Sequence, residues 1–298
     1  MLNATSSRAV EGGALPDKPV GKDGPIGVFD SGVGGLSILR HIHAALPHEN
    51  LLYVADSGFA PYGGKPESVI VARTLAIAEF LLAQGAKALV VACNTATAAA
   101  IKGLRDRYPS LLVVGVEPGL KPAAALTRTA AVGVLATERT LSSAKFLLLH
   151  EQISSSTGIR FLLQPCIGLA DQIEKGELKS PATARLVESY VAPLVRQGAD
   201  TLVLGCTHYP FVQPLIARSA AAHSANPVAL VDTGEAIARQ LTRMLQQQGI
   251  MRDSASQGSL AAFTTGSRTS LESAFAKLLK LHPPVTQITA TLPVPQNV

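Results

Sequence analysis

The chain has 298 residues, of which 47% are hydrophobic and 16% charged, with a formal net charge of +5, three cysteines, no tryptophan and 4% aromatic residues. That length accommodates two domains with separate cores, and three cysteines are too few for a disulfide framework, so they are expected as thiols. Scattered Lys and Arg without aromatic stacking platforms exclude nucleic acid as the primary ligand, and no apolar run reaches the roughly 18–20 residues that span a bilayer.

The first 24 residues, "MLNATSSRAVEGGALPDKPVGKDG", are rich in Gly, Pro and small polar residues. They lack an apolar h-region and read as a disordered extension of a soluble, cytoplasmic protein. From residue 25 short apolar runs alternate with helical segments. "PIGVFD" is a predicted strand, "GLSILRHIHAAL" a helix, "NLLYVAD" a strand and "ESVIVARTLAIAEFLLAQG" a long helix. "KALVVAC" is a third strand, followed by a helix from about Ala96 to Arg107, and "LLVVGVEP" is a fourth.

The rhythm restarts with "TAAVGVLAT" (strand), "RTLSSAKFLLLHEQI" (helix), "IRFLLQPC" (strand), "PATARLVESYVAPLVRQG" (helix) and "DTLVLGC" (strand). A helix is expected after Pro210. Then come "VALVDTG", "EAIARQLTRMLQQQG", "LAAFTTG", "LESAFAKLLK" and a terminal "VTQITATL", with "RDSASQGS" as a surface loop. This alternation predicts an α/β fold of two pseudo-symmetric, doubly wound domains with mainly parallel sheets.

Two stretches repeat. "QGAKALVVACNTAT" and "QGADTLVLGCTHYP" each place a cysteine nine residues after Gln, as Gln84 to Cys93 and Gln197 to Cys206. Each cysteine ends a predicted strand with a helix behind it, where a helix dipole favours thiolate. Ligands gather at the carboxyl ends of parallel strands, so two facing domains would put both thiols in one interdomain cleft. Inert packing accounts for one buried cysteine, less well for two in register with polar neighbours.

Several chemistries use two thiols: a disulfide, a metal site with His208, a nucleophile with a helper, or a pair of acid/base groups on opposite faces of one carbon. Cys206-x-His208 supplies at most two adjacent ligands where zinc wants four, so no metal is expected. "FDSGVGG" places Asp30 and Ser31 at a strand end before a Gly-rich turn into a helix, suited to a carboxylate ligand; a helix N-cap or turn residue is the alternative for Asp30. It is neither a dinucleotide fingerprint nor a P-loop. "ADSGFAPYGGK" puts Tyr62 and Gly63 in a turn able to cover a small ligand.

Together "FDSGVGG", "ADSGFAPYGGK", "ACNTAT", "GCTHYP" and "VDTGEAIAR", in order over residues 25 to about 292, resemble the cofactor-independent glutamate racemases. Aspartate and hydantoin racemases share the two-cysteine design but look less like "CTHYP" and "FDSGVGG". The resemblance implies an isomerase acting on glutamate without pyridoxal or another cofactor, supplying D-glutamate for peptidoglycan. Cys93 and Cys206 would be the acid/base thiols, with Asp30 near Cys93 and His208 near Cys206. Asp30, Ser31, Tyr62, Gly63, Asn94, Thr95, Thr207 and His208 would hold the substrate. It also implies a first domain of residues 25–114 and 227–292 and a second of 115–226. Within "QPCIGLADQIEKG", Glu174 is a further candidate acid and Cys166 a buried spectator. A homodimer is left open, as is a non-catalytic amino-acid-binding role.

Overall fold

Short Val-, Ile- and Leu-rich runs become parallel strands when helices cover both faces of the sheet. The computed structural model, which describes residues 21–288, shows this arrangement twice. The chain begins β1 (Ile26–Asp30), α1 (Leu36–Ala45), β2 (Leu51–Ala55), α2 (Glu67–Ala83), β3 (Ala88–Val91), α3 (Asn94–Arg107) and β4 (Leu112–Gly115). It continues α4 (Leu120–Leu126), β5 (Ala131–Ala136), α5 (Glu138–Ser142), α6 (Ala144–Thr157), β6 (Arg160–Pro165), α7 (Leu169–Glu174), α8 (Pro181–Arg196) and β7 (Thr201–Leu204). Last come α9 (Gln213–His223), β8 (Ala229–Val231), α10 (Gly234–Gln247), β9 (Leu260–Thr264), α11 (Arg268–Ala274) and β10 (Val285–Gln287).

One sheet has the order β10-β9-β2-β1-β3-β4 and the other β6-β5-β7-β8, with every pairing parallel. The second sheet repeats the β2-β1-β3-β4 core of the first, so β3 and β7 are equivalent strands. Alternating residues along β1 and β3 feed two core layers. Val28 and Val90 pack with Leu39 and Ile42 of α1 and Leu241 of α10, while Phe29 and Val91 pack with Ile77 of α2 and Leu104 of α3. Each such side chain fully buried is worth about 1.5–3 kcal/mol.

The repeated Gln-Gly-Ala has a local cause. Gly85 and Gly198 sit at φ 80° and 95° just beyond α2 and α8, a left-handed conformation that glycine adopts without a Cβ penalty. Ala86 N–H then reaches Leu81 O at 3.0 Å and Ala199 N–H reaches Leu194 O at 3.1 Å, closing both helices identically and launching β3 and β7.

Some expectations shift. The helix expected at residues 139–153 is two helices, because Ser143 leaves the helical path at ψ 140° and caps α6 by accepting from Phe146 N–H. The short helices α4 and α7 carry no readable period. The crossing back was expected at residue 227, but β8 pairs with β7, so Ala229–Val231 belong to the four-stranded sheet. Residues 1–20 of the expected disordered extension, and everything after 288, lie outside the described residues. Among the described residues no helix is long and apolar enough to cross a membrane.

Candidate active site

Cys93 follows β3 at the N-terminus of α3, and Cys206 follows β7 beyond Gly205, both at carboxyl ends of strands next to the central one. Both are buried free thiols, as is Cys166. Asp30 ends β1 beside Cys93. Its Oδ2 accepts from the N–H groups of Gly32 at 3.1 Å and Gly35 at 2.9 Å, so the carboxylate shapes the glycine turn, while Gly35 and not Asp30 is the N-cap of α1. Its Oδ1 faces the other half, where Thr207 Oγ1 donates at 3.5 Å. The Cys93 thiol donates to Ser31 Oγ at 3.8 Å.

Cys206 has a different retinue. Its sulfur lies 3.6 Å from His208 Nδ1, and His208 Nε2 is 2.5 Å from Glu174 Oε1 at the end of α7. The same Glu174 oxygen accepts from Val33 N–H of the glycine turn at 2.7 Å, and Ser37 Oγ of α1 donates to Thr207 O at 2.7 Å. The two halves are thus stitched together around the thiols. A Cβ on Gly32 would fall 2.0 Å from Glu174 Oε1, and one on Gly34 would fall 2.3 Å from His208 Nδ1, so "SGVGG" is glycine-rich because the other half presses on it.

Electrostatics separate the two thiols. Burial pushes Cys93 well above its ordinary 9.0; Asp30 adds to this, the Ala96 N–H opposes it, and the charge on Cys206 raises it further. The helix N-terminus therefore acts in the expected direction, but desolvation outweighs it, and the resting thiol stays protonated. Burial also lifts Asp30 above 3.8; His208 pulls it back, and Glu174 pushes it up. For His208 burial is the largest influence and pulls down, but hydrogen bonds to Cys206 and Glu174, with their charges, overcome it and hold the imidazolium well above 6.5.

The sequence expectation of an α-helix directly behind each cysteine holds only for Cys93. After Cys206 the chain makes a tight turn and a one-turn 3₁₀ helix, Tyr209–Val212, before α9. The turn brings His208 back onto the sulfur. Asn94 and Thr95 open α3 beside Cys93. Thr95 Oγ1 lies 3.0 Å from Thr137 Oγ1 and 3.3 Å from Thr140 Oγ1, both of the four-stranded half, while Asn94 Nδ2 is buried without a hydrogen-bond partner among the described residues. Tyr62 was expected to face a ligand, yet its hydroxyl donates to Asp56 Oδ2 at 2.5 Å. Gly63 remains at the boundary, where a Cβ would meet Thr137 Cβ at 3.1 Å. Cys166 is buried with its thiol raised by desolvation, and its sulfur donates to Gln164 O at 3.5 Å.

Thr137, Thr140 and Tyr53, whose hydroxyl donates to Gly32 O at 2.7 Å, went unpredicted. Thr137 was within reach of sequence reasoning, because it ends "AAVGVLAT" at the carboxyl end of a strand.

Two like groups thus lie on equivalent strands, each with its own ionisable partner. The sequence model for Asp/Glu/hydantoin racemases matches residues 26–241. The chain belongs to that family. It is 58% identical over 229 residues to a glutamate racemase of Ectopseudomonas mendocina, covering 76% of this chain and 84% of the relative. The fold is similar to glutamate racemase isoform RacE1 from Bacillus anthracis (TM-score 0.79, 31% identity, 90% of this chain and 98% of that one). It is likewise similar to glutamate racemase from Francisella tularensis, determined in complex with D-glutamate (TM-score 0.77, 27% identity, 90% and 98%).

Proposed function

We propose that this protein interconverts L- and D-glutamate by a two-base mechanism, supplying D-glutamate for peptidoglycan. The observation that carries the reading is the pair of equivalent strand-end thiols with non-equivalent partners, Cys93 with Asp30 and Cys206 with His208–Glu174. From L-glutamate, Cys206 removes the α-proton: the C–H bond breaks, an S–H bond forms, and the electron pair spreads into the α-carboxylate. Cys93 then returns its own proton to the opposite face. From D-glutamate the roles reverse.

Resting Cys93 holds its proton, which suits the acid role, and Asp30, itself lifted by burial, is positioned to take that proton when Cys93 must act as base. His208 handles the proton of Cys206, and Glu174 keeps the imidazolium charged and oriented. The carbanion is stabilised by fixed neutral donors that need no reorganisation. The unpartnered Asn94 Nδ2 and the hydroxyls of Ser31, Thr95 and Thr207 serve this purpose, with Tyr62–Gly63 as the opposite wall.

The test is loss of optical activity when L-glutamate is incubated with the purified protein and no added cofactor, with aspartate and hydantoins run in parallel. Unchanged optical rotation of glutamate would sink the reading.

A further inference from the structure

Asp56 follows β2, next to Asp30, whose carbonyl accepts from its N–H at 3.0 Å. Four donors converge on its fully buried carboxylate. Oδ1 accepts from Arg73 Nη2 at 2.7 Å and Thr265 Oγ1 at 2.8 Å, and Oδ2 accepts from Arg73 Nε at 3.0 Å and Tyr62 OH at 2.5 Å. None of these donors belongs to the proton-transfer pairs. Thr265 Oγ1 also accepts from Gly58 N–H at 3.0 Å, and the Arg73 guanidinium lies 3.9 Å above the Phe59 ring. The turn from residue 56 to 63 is therefore held along its length from behind.

Stability alone does not explain this arrangement, because desolvating two charges cancels much of what their attraction returns. The position of the turn does. Gly63 sits at contact distance from Thr137, which bonds Thr95 beside Cys93. The turn thus lies against the threonines that bond the neighbour of Cys93.

We propose that Arg73, assisted by Thr265, is a positioning residue for the substrate: through Asp56 it fixes the Tyr62–Gly63 wall against Thr137. Guanidinium suits this task because its planar fork grips both carboxylate oxygens in fixed directions, which a lysine ammonium does not reproduce. The wall contacts the bound molecule whichever enantiomer it is, so its loss weakens binding of both without impairing either proton transfer. This inference rests on the racemase reading of the site.

Arg73→Lys and Thr265→Val test it, with KM and kcat measured for both enantiomers. Arg73→Lys is expected to raise both KM values about tenfold while kcat changes less than about threefold, and Thr265→Val to raise them about threefold. If Arg73→Lys fails to fold, Thr265→Val, which removes one hydroxyl and no charge, decides alone. Unchanged KM values in a folded variant, or losses confined to kcat, overturn the inference while the racemase reading stands. Absence of glutamate turnover in the unsubstituted protein overturns both.

Discussion

The two thiol neighbourhoods share a topology and differ in chemistry. Both cysteines follow a strand launched by the same glycine-capped helix end, at the same place in the sheet order. Yet Cys93 sits at a helix N-terminus among a carboxylate and a hydroxyl, whereas Cys206 sits in a turn against an imidazolium backed by a carboxylate. Duplicating a fold places two groups on opposite sides of a cleft. It does not require matched environments, because enantiomers are mirror images, not two-fold copies. Each side is free to manage its own proton.

Removing either sulfur breaks the comparison most severely. Cys93→Ser and Cys206→Ser are each expected to slow racemisation about 10²–10⁴-fold, the usual worth of a positioned acid or base. Circular dichroism of glutamate checks the rate. In heavy water, early D product from L-glutamate carries deuterium while the remaining L-glutamate stays protonated. Isotope appearing in both pools together would mean one shared base. With ligand bound, two sulfurs at near-attack distance from one carbon lie roughly 6–7 Å apart, far beyond disulfide length.

The glycine turn comes next. Gly34→Ala drives a methyl into the His208 ring, which cannot fold aside, whereas Gly32→Ala meets the end of the Glu174 side chain, which can. Displacing a catalytic group by about 1 Å costs about 10²-fold in rate, so Gly34→Ala is expected to lower kcat/KM by that order and Gly32→Ala by less. Equal losses in the two variants would show that the turn does not discriminate between the two groups pressing on it.

Much of this contrast was legible in the sequence. The apolar runs are parallel strands buried on both faces, so they stand out by composition, and the Gln-Gly-Ala repeat exposed the duplication because a left-handed helix cap demands glycine. Cys93, Cys206, Asp30 and His208 all lie at strand ends, where the α/β rule directs attention. Glu174 was a weak candidate because α7 has six residues, too few to show a period, and reaches His208 only through tertiary packing. The upward shift of Cys93 was illegible for a similar reason. Sequence shows the helix N-terminus, but desolvation depends on closure of the other half over the thiol.

Milder changes sharpen the comparison. L- and D-glutamate are equally stable, so kcat/KM must stay equal in the two directions whatever the substitution. Asymmetry appears instead in isotope effects. Asp30→Asn is expected to lower turnover about a hundredfold or less and to enlarge the primary isotope effect with α-deuterated D-glutamate, whose deuteron the proposed mechanism gives to Cys93. Glu174→Gln should have the smaller effect on turnover and enlarge the isotope effect with α-deuterated L-glutamate. Equal isotope effects in both directions for either variant would detach these carboxylates from their assigned sides.

The smallest expected effect is on stability, and it has a definite sign. Asp30, His208 and Cys93 are all raised in the folded protein above 3.8, 6.5 and 9.0 respectively. A group with a raised folded value binds more protons when folded, so stability falls as pH rises between its unfolded and folded values, at no more than about 1.4 kcal/mol per pH unit for each group. The contribution of His208 is fully present below pH 6.5 and is lost as pH climbs through its higher folded value. Deleting the imidazole also removes neutral contacts, so the informative quantity is the slope of the stability difference, not its offset. Urea unfolding of the unsubstituted protein and His208→Asn should give a difference that shrinks from pH 6.5 upward. A difference independent of pH would mean that the folded protein does not hold the extra proton, and the Cys206 side would then lack the cation that sets it apart from the Cys93 side.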